Sequence, residues 1–369
     1  MGEFEYVKRN FGFGCMRLPM NGDEVEFAEF CKMVDYFLAQ GFNYFDTAHG
    51  YLSGKSETAI RECLVKRRPR ESYILTDKLT GPYFDKEEDI RPFFQSQLEA
   101  CGVEYFDFYL MHSQCKDVFE KFKSCRAYET AFELKAEGRV KHVGISFHDT
   151  AEVLDEILTE YPQTEVVQLQ LNYVDLDDPE VQARKCYEVC RRHGKPVLVM
   201  EPVKGGSLAT LSEEITAPLK AAHPDWSVAS WAMRWVASLN NCRIILSGMS
   251  DEAQVADNLA TFSGENRLSE ADQQVIAQVR EAIRARVFVG CTACRYCMPC
   301  PFGVDIPRNF RMMNQFAMYS NERNLMGSWK AMEEQERASA CQKCGKCEKA
   351  CPQHLPIREK LAEIAERMK

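Results

Sequence analysis

The chain has 369 residues, 45% of them hydrophobic and 27% charged, with a formal net charge of −9. That length exceeds what one hydrophobic core organises, so a large domain with a small companion is expected, and the composition is that of an ordinary globular protein. The acidic balance argues against nucleic acid as a partner, which wants a basic surface, and no apolar run approaches the ~20 residues that cross a bilayer, so no membrane is expected.

At the N-terminus, MGEFEYVKRN lacks the apolar core of a signal peptide. Seventeen cysteines without such a signal imply a reducing, cytoplasmic setting in which thiols stay free of disulfides. Nine of them are scattered (Cys15, Cys31, Cys63, Cys101, Cys115, Cys125, Cys186, Cys190 and Cys242) and read as small buried hydrophobes.

From residue 11 to 248 one theme repeats: a short β-rich apolar run, then a longer amphipathic segment. The runs are FGFGCMRL from Phe11, FNYFDTA from Phe42, YILTDK from Tyr73, FDFYLMH from Phe106, VKHVGIS from Val140, VVQLQLNY from Val166, PVLVME from Pro196 and CRIILSG from Cys242. Near-continuous apolar runs are how strands covered on both faces read. Between them lie helical spacings. A helix from Asp23 sets Phe27, Phe30, Cys31, Val34, Phe37 and Leu38 on one side and stops at Gly41; others begin at Ala151 and Ser269. Eight strand–helix units close into a (β/α)8 TIM barrel. The competing open, doubly wound sheet announces itself with a G-x-G-x-x-G turn, and none occurs.

Catalytic residues in such barrels gather at the C-terminal ends of strands. Those ends offer Asp46, Lys78, His112 and Ser146, with Tyr51 five residues beyond Asp46. Each alone has a bland reading: a helix cap, a solvent-facing ammonium, a packed imidazole. Four chemistry-bearing types on one rim are a different matter. A Tyr titrating near ~10 is a poor acid at neutral pH, a neighbouring ammonium lowers that value, and a carboxylate holds the ammonium charged.

In FGFGCMRLP, GFNYFDTAHGYLSGKSE, TDKL, DFYLMHS, VGIS, VVQLQLNY and ILSGMSDEAQVADNL, residues 8–286 resemble the aldo/keto reductase family. The resemblance implies reversible carbonyl reduction with NADP or NAD on a small-molecule carbonyl substrate. It carries the catalytic roles to Tyr51, Asp46, Lys78 and His112, and cofactor contacts to Ser146, Gln168, Met200, Gly248, Gln254 and Asn258. There are departures. Met200 stands where the family stacks an aromatic ring, Gly248 and Gln254 replace basic residues at the 2′-phosphate, and GxSN is replaced by Gly144-Ile145-Ser146-Phe147.

The C-terminal part, residues 287–369 against 1–286, carries two cysteine runs. They are Cys291-x2-Cys294-x2-Cys297-x2-Cys300-Pro301 and Cys341-x2-Cys344-x2-Cys347-x3-Cys351-Pro352. A zinc site takes four ligands from two C-x2-C pairs and has no use for a third and fourth Cys in each run. The spacing is that of [4Fe-4S] cages, in which the fourth Cys of each run ligates the other run's cluster. One cluster then takes Cys291, Cys294, Cys297 and Cys351; the other takes Cys341, Cys344, Cys347 and Cys300. The first run is one residue short before its fourth Cys. Between the runs, Phe310, Met313, Phe316, Trp329 and Met332 read as core around the clusters. The second run is similar to small, mostly α-helical ferredoxin-like modules of multisubunit reductases.

A hydride carries two electrons and a cluster passes one, so three readings stay open. The barrel is a carbonyl reductase with a structural or docking module. Alternatively, the clusters take electrons from a ferredoxin-like partner and feed the barrel through a flavin or radical step. In the third, an inactive barrel serves an electron carrier, redox sensor or scaffold.

Overall fold

The computed structural model describes Phe4, residues 6–291 and residues 293–369. All eight apolar runs become strands: β1 (Phe11–Gly14), β2 (Tyr44–Asp46), β3 (Ile74–Leu79), β4 (Phe106–Gln114), β5 (Val140–Phe147), β6 (Val166–Gln170), β7 (Val197–Met200) and β8 (Cys242–Gly248). Each pairs in parallel with its sequence neighbours, and β1 pairs with both β2 and β8, which closes the barrel. Gly144 on β5 is needed at its position. A Cβ there would fall 2.4 Å from Val166 Cγ2 and 2.7 Å from Leu110 Cδ2.

The chain divides into two compact units, residues up to 205 with 229–269, and residues 206–228 with 270–369. Inside the barrel of the first unit, Tyr44, Ile74, Phe108, Leu110, Val166, Leu198, Ile244 and Leu246 form a packed cluster. Phe4 and Val7 pack on that cluster. The other strand face meets helices that include α1 (Phe27–Ala39), α2 (Lys55–Cys63) and α3 (Glu87–Cys101). Helix α1 starts at Phe27 rather than Asp23, because Met20–Asn21 and Glu24–Val25 first form a hairpin around left-handed Gly22 (φ 60°). Gly41 (φ 83°) ends it as expected.

In the second unit Val304, Ile306, Phe310, Met313, Trp329, Met332, Ile357, Leu361 and Ile364 form a core of their own. The Met and aromatic spacing is therefore packing, with Phe316 at its edge. Helices α4 (Ile306–Tyr319), α5 (Glu322–Lys330), α6 (Lys346–Ala350) and α7 (Ile357–Arg367) supply it. No helix among the described residues is long and apolar enough to cross a membrane.

One expectation is corrected. Six of the scattered cysteines are buried and Cys115 is half-buried, but Cys31 on α1 and Cys63 on α2 are joined as a disulfide. Facing helices bring the two together, a tertiary relationship that their spacing in sequence does not carry.

Candidate active site and cluster cages

Lys78 projects into the barrel from β3 and is completely buried. Its Nζ donates to Asp46 Oδ1 and to the Thr47 carbonyl oxygen, each at 2.7 Å. Taking an ammonium out of water is strongly unfavourable unless it is paired and hydrogen-bonded. Here burial pulls Lys78 toward neutrality, but Asp46 and Tyr51 more than offset it, and its pKa ends above the ordinary lysine value. Lys78 is a fixed cation.

The Lys78 ammonium lies 4.8 Å from the centre of the Tyr51 ring. Tyr51 opens a single 3-10 turn in which Leu52 (φ 52°) and Ser53 (φ 58°) are both left-handed. Such backbone costs about 1–3 kcal/mol per residue and persists only where its surroundings over-determine it. The Thr47 and Ser56 hydroxyls, 2.7 Å apart, do part of this, with Ser56 Oγ donating to the Cys15 carbonyl at 2.8 Å. Burial raises the Tyr51 pKa above its ordinary value while Lys78 works against the rise. From the neighbouring ammonium alone a net fall is expected. Burial outweighs the cation here, so the phenol holds its proton at neutral pH.

His112, near the end of β4, meets the Tyr51 ring edge-on at 5.9 Å. Its Nδ1 is 2.8 Å from Thr80 Oγ1. Burial first, then the charges of Lys78 and His148, lower its pKa to about 3. The imidazole is neutral across the physiological range. Asp46, Tyr51, Lys78 and His112 thus come together at the C-terminal rim.

The residues matched to cofactor contacts have these surroundings. Ser146 Oγ accepts the Ser113 N–H at 2.7 Å. Gln168 donates its amide to Asp46 Oδ2 at 3.0 Å, so it braces the carboxylate as well as reaching the rim. Asn258 Nδ2 donates to Ser247 Oγ at 3.3 Å. Met200 ends β7, half-buried. Gln254 is committed to the start of its own helix, donating to Asp251 Oδ2 at 2.8 Å and accepting the Ser250 N–H at 3.0 Å. At Gly248 a Cβ would fall 3.1 Å from three carbons of Arg17, whose stem lies across the bare backbone.

Arg17 and Thr80 were missed in the sequence. Arg17 was hidden because it comes from the loop after β1, far in sequence from Gly248, which its stem covers. Thr80 had a signal: it lies two residues beyond Lys78 in TDKLT.

A second buried cluster lies on the other face of β3. Glu57, Asp77 and Cys101 bring ligand-type atoms within 4.8 Å of one another. Asp77 Oδ1 accepts from the Lys78 N–H at 2.7 Å and from Gln97 at 3.1 Å, and Glu57 Oε2 is 2.8 Å from His49 Nδ1. Burial raises the Glu57 pKa to about 7, and burial with the Glu57 charge raises Asp77 well above the carboxylate range.

In the second unit two cavities collect the module's cysteines. One, of about 160 Å³, is lined by Cys300, Cys341, Cys344 and Cys347, with Cys297 also on its wall. The other is lined by Cys291, Cys294, Cys297 and Cys351. Each joins three cysteines of one run to the fourth of the other. Four sulfur donors around a small enclosed space fit an iron–sulfur cube.

The family model for the aldo/keto reductase family matches residues 10–283. The chain belongs to the aldo/keto reductase family. A second model, for a 4Fe-4S dicluster domain, matches residues 290–355 of this aldo/keto reductase. Among curated relatives, the NADH-specific methylglyoxal reductase of Escherichia coli (strain K12) is 23% identical over 286 residues, covering 66% of this chain and 85% of the relative. The (1S)-1,7-diacetoxy-luvungin A aldo-keto reductase of Citrus sinensis is 27% identical over 291 residues, covering 73% and 85%. A solved aldo-keto reductase from Klebsiella pneumoniae in complex with NADPH matches at TM-score 0.58 and 17% identity, over 73% of this chain and 90% of its own. An aldo/keto reductase from Brucella melitensis matches at 0.57 and 22%, over 74% and 98%. At such identities the structural likeness shows the barrel fold.

Proposed function

We propose that this aldo/keto reductase reversibly reduces a small-molecule carbonyl compound with NADPH or NADH, and that its C-terminal module holds two [4Fe-4S] clusters. The observation that carries the reading is the sealed Lys78–Asp46 pair beside a protonated Tyr51 and a neutral His112. Relatives named as reductases, and a neighbour solved with NADPH, point the same way.

The nicotinamide, when bound, supplies the hydride; Ser146 and Gln168 would hold its carboxamide and Asn258 the adenine, with Met200 at the strand end. Tyr51 and His112 hold the substrate oxygen. As negative charge grows on that oxygen, Tyr51 gives up its proton and Lys78 stabilises the tyrosinate left behind. Asp46 keeps Lys78 charged and aimed. A neutral imidazole serves as hydrogen-bond donor without competing for the proton. In the oxidative direction tyrosinate takes the proton back. Arg17 lays its aliphatic stem across Gly248 and carries its guanidinium on toward Gly205.

In the module, Cys291, Cys294, Cys297 and Cys351 would hold one cluster and Cys341, Cys344, Cys347 and Cys300 the other, each passing single electrons. We put the seam between the two functional parts at 286/287, a choice supported by family matches that end at 283 and begin at 290.

Tyr51→Phe tests the reading. It keeps the ring and loses the proton, so kcat should fall about 10²–10⁴-fold, while NADPH affinity by fluorescence titration stays within about twofold. Normal turnover by the variant would remove Tyr51 as the acid.

A further inference from the structure

We infer that the face around the Cys300/Cys341/Cys344/Cys347 cavity is a docking site for a small acidic protein that carries single electrons. This rests on the proposal that the cavity holds a cluster, and it deepens that proposal by naming the partner's chemistry and where it lands.

Charge is the first support. The whole chain carries −9, yet the cavity wall includes Lys343, Lys346 and Arg358 and no carboxylate. The second cavity has Arg295 on its wall and again no acid. Arg358 is committed to Glu348 at 2.7 Å. Lys343 and Lys346 are exposed, with no carboxylate in ion-pair reach among the described residues. A locally cationic mouth on an acidic protein attracts an acidic partner and repels further copies of its own chain.

Exposure is the second. Tyr296 is 70% exposed and Phe302 45% exposed, the former among the largest apolar exposures in the molecule. Both line the same cavity beside half-buried Met298. Aromatics and Met ringed by cations form the centre and rim of a transient protein interface. Cys344, one of the four sulfur donors, is itself exposed. An electron arriving at this face therefore meets the cluster's own ligand rather than intervening protein.

The step balances simply. One electron leaves the reduced carrier and enters the oxidised cluster; the carrier is oxidised by one, the cluster reduced by one, and no covalent bond changes.

The competing explanation is that the cations only offset the cluster's negative charge. Lys343→Glu with Lys346→Glu in the full-length, anaerobically purified protein separates the two. Iron and sulfide content and the resonance of dithionite-reduced protein are measured first. Wild-type protein without clusters would fail the underlying reading, separately from the docking inference. With clusters present, reduction by an acidic ferredoxin should slow at least tenfold in the variant, in line with lost steering, while reduction by dithionite is unchanged. Affinity for the redox-inert, gallium-substituted carrier should fall in parallel by calorimetry, and the rate at which the dithionite-reduced protein passes an electron to cationic ferricytochrome c should rise. If the variant loses iron, Lys343→Gln with Lys346→Gln and the salt dependence of the wild type decide. A wild-type rate with the acidic carrier that does not fall between low and physiological salt overturns the inference, as does an unchanged rate in either variant.

Discussion

Thr80 Oγ1 and His112 Nδ1 lie 2.8 Å apart, so the residue two past Lys78 on one strand end holds the ring on the next. With Nδ1 engaged, the ring's Nε2 is the nitrogen left for a substrate oxygen. In the proposed mechanism Thr80 is thus a positioning residue. Thr80→Val should lower kcat/KM about tenfold, which corresponds to about 1.4 kcal/mol, near the worth of one hydrogen bond. Thr80→Ser should restore it. Full activity in the valine variant would show that the ring is held by packing alone.

The same surroundings set a pH dependence. Because His112 is held neutral down to about 3, carbonyl reduction should show no break near the ordinary imidazole value. It should decline only at alkaline pH, as Tyr51, raised above its ordinary value, begins to lose its proton. For stability the sign is that of a depressed group: the contribution is present above the unfolded imidazole value and is lost as pH falls toward 3. A rate profile between pH 5 and pH 9 with a midpoint near 6.5 that vanishes in His112→Gln would contradict this.

Asp46→Asn should be costly in two currencies. It leaves the buried Lys78 ammonium without its counter-charge, so unfolding free energy should fall by about 3–5 kcal/mol, read from urea midpoints. Asp46→Leu combined with Lys78→Met removes both charges and should recover most of that stability without recovering turnover. If the double variant is no more stable than the single, the pair is not the source of the loss.

Glu57 and Asp77 share a buried site in which only one can ionise cheaply. Both carboxyls are raised, Glu57 to about 7. A raised acid stabilises the fold below its unfolded value, and that contribution disappears as pH rises through the folded value. Glu57→Gln should therefore be more stable than wild type at pH 8.5 and similar at pH 5, by chemical denaturation. The opposite ordering would mean that something other than a proton neutralises the site.

The crossed cages make separable variants. Cys300→Ser should disturb the cluster of Cys341, Cys344 and Cys347, and Cys351→Ser that of Cys291, Cys294 and Cys297, each lowering iron from about eight per chain toward about four. Paramagnetic resonance of the reduced proteins should then show two different residual signals. Identical residual signals would mean that each run closes its own cage.

The barrel was legible because its determinants are local. Eight apolar runs such as FDFYLMH and CRIILSG are strands wherever they are buried on both faces, and their ends bring Asp46, Lys78 and His112 to one rim. What was not legible depends on proximity in space. The hairpin at Met20–Val25 displaced the start of α1 because apolar spacing continues through a turn that Gly22 permits. The Cys31–Cys63 disulfide, the Arg17 stem over Gly248 and the hold of Gln168 on Asp46 all join residues from different elements. The pKa of Tyr51 escapes the sequence for a related reason. Sequence names the neighbouring ammonium but not how thoroughly the fold excludes water.

Each cavity of the module keeps one sulfur-bearing residue on the outside of the molecule, Cys294 for one and Cys344 for the other. Clusters held there as proposed would be open to dissolved oxygen and chelators at those residues, whereas Lys78 and Asp46 are buried. Protein handled in air should bleach while its barrel chemistry survives. Comparing one preparation before and after aeration then divides what the barrel does alone from what the module adds.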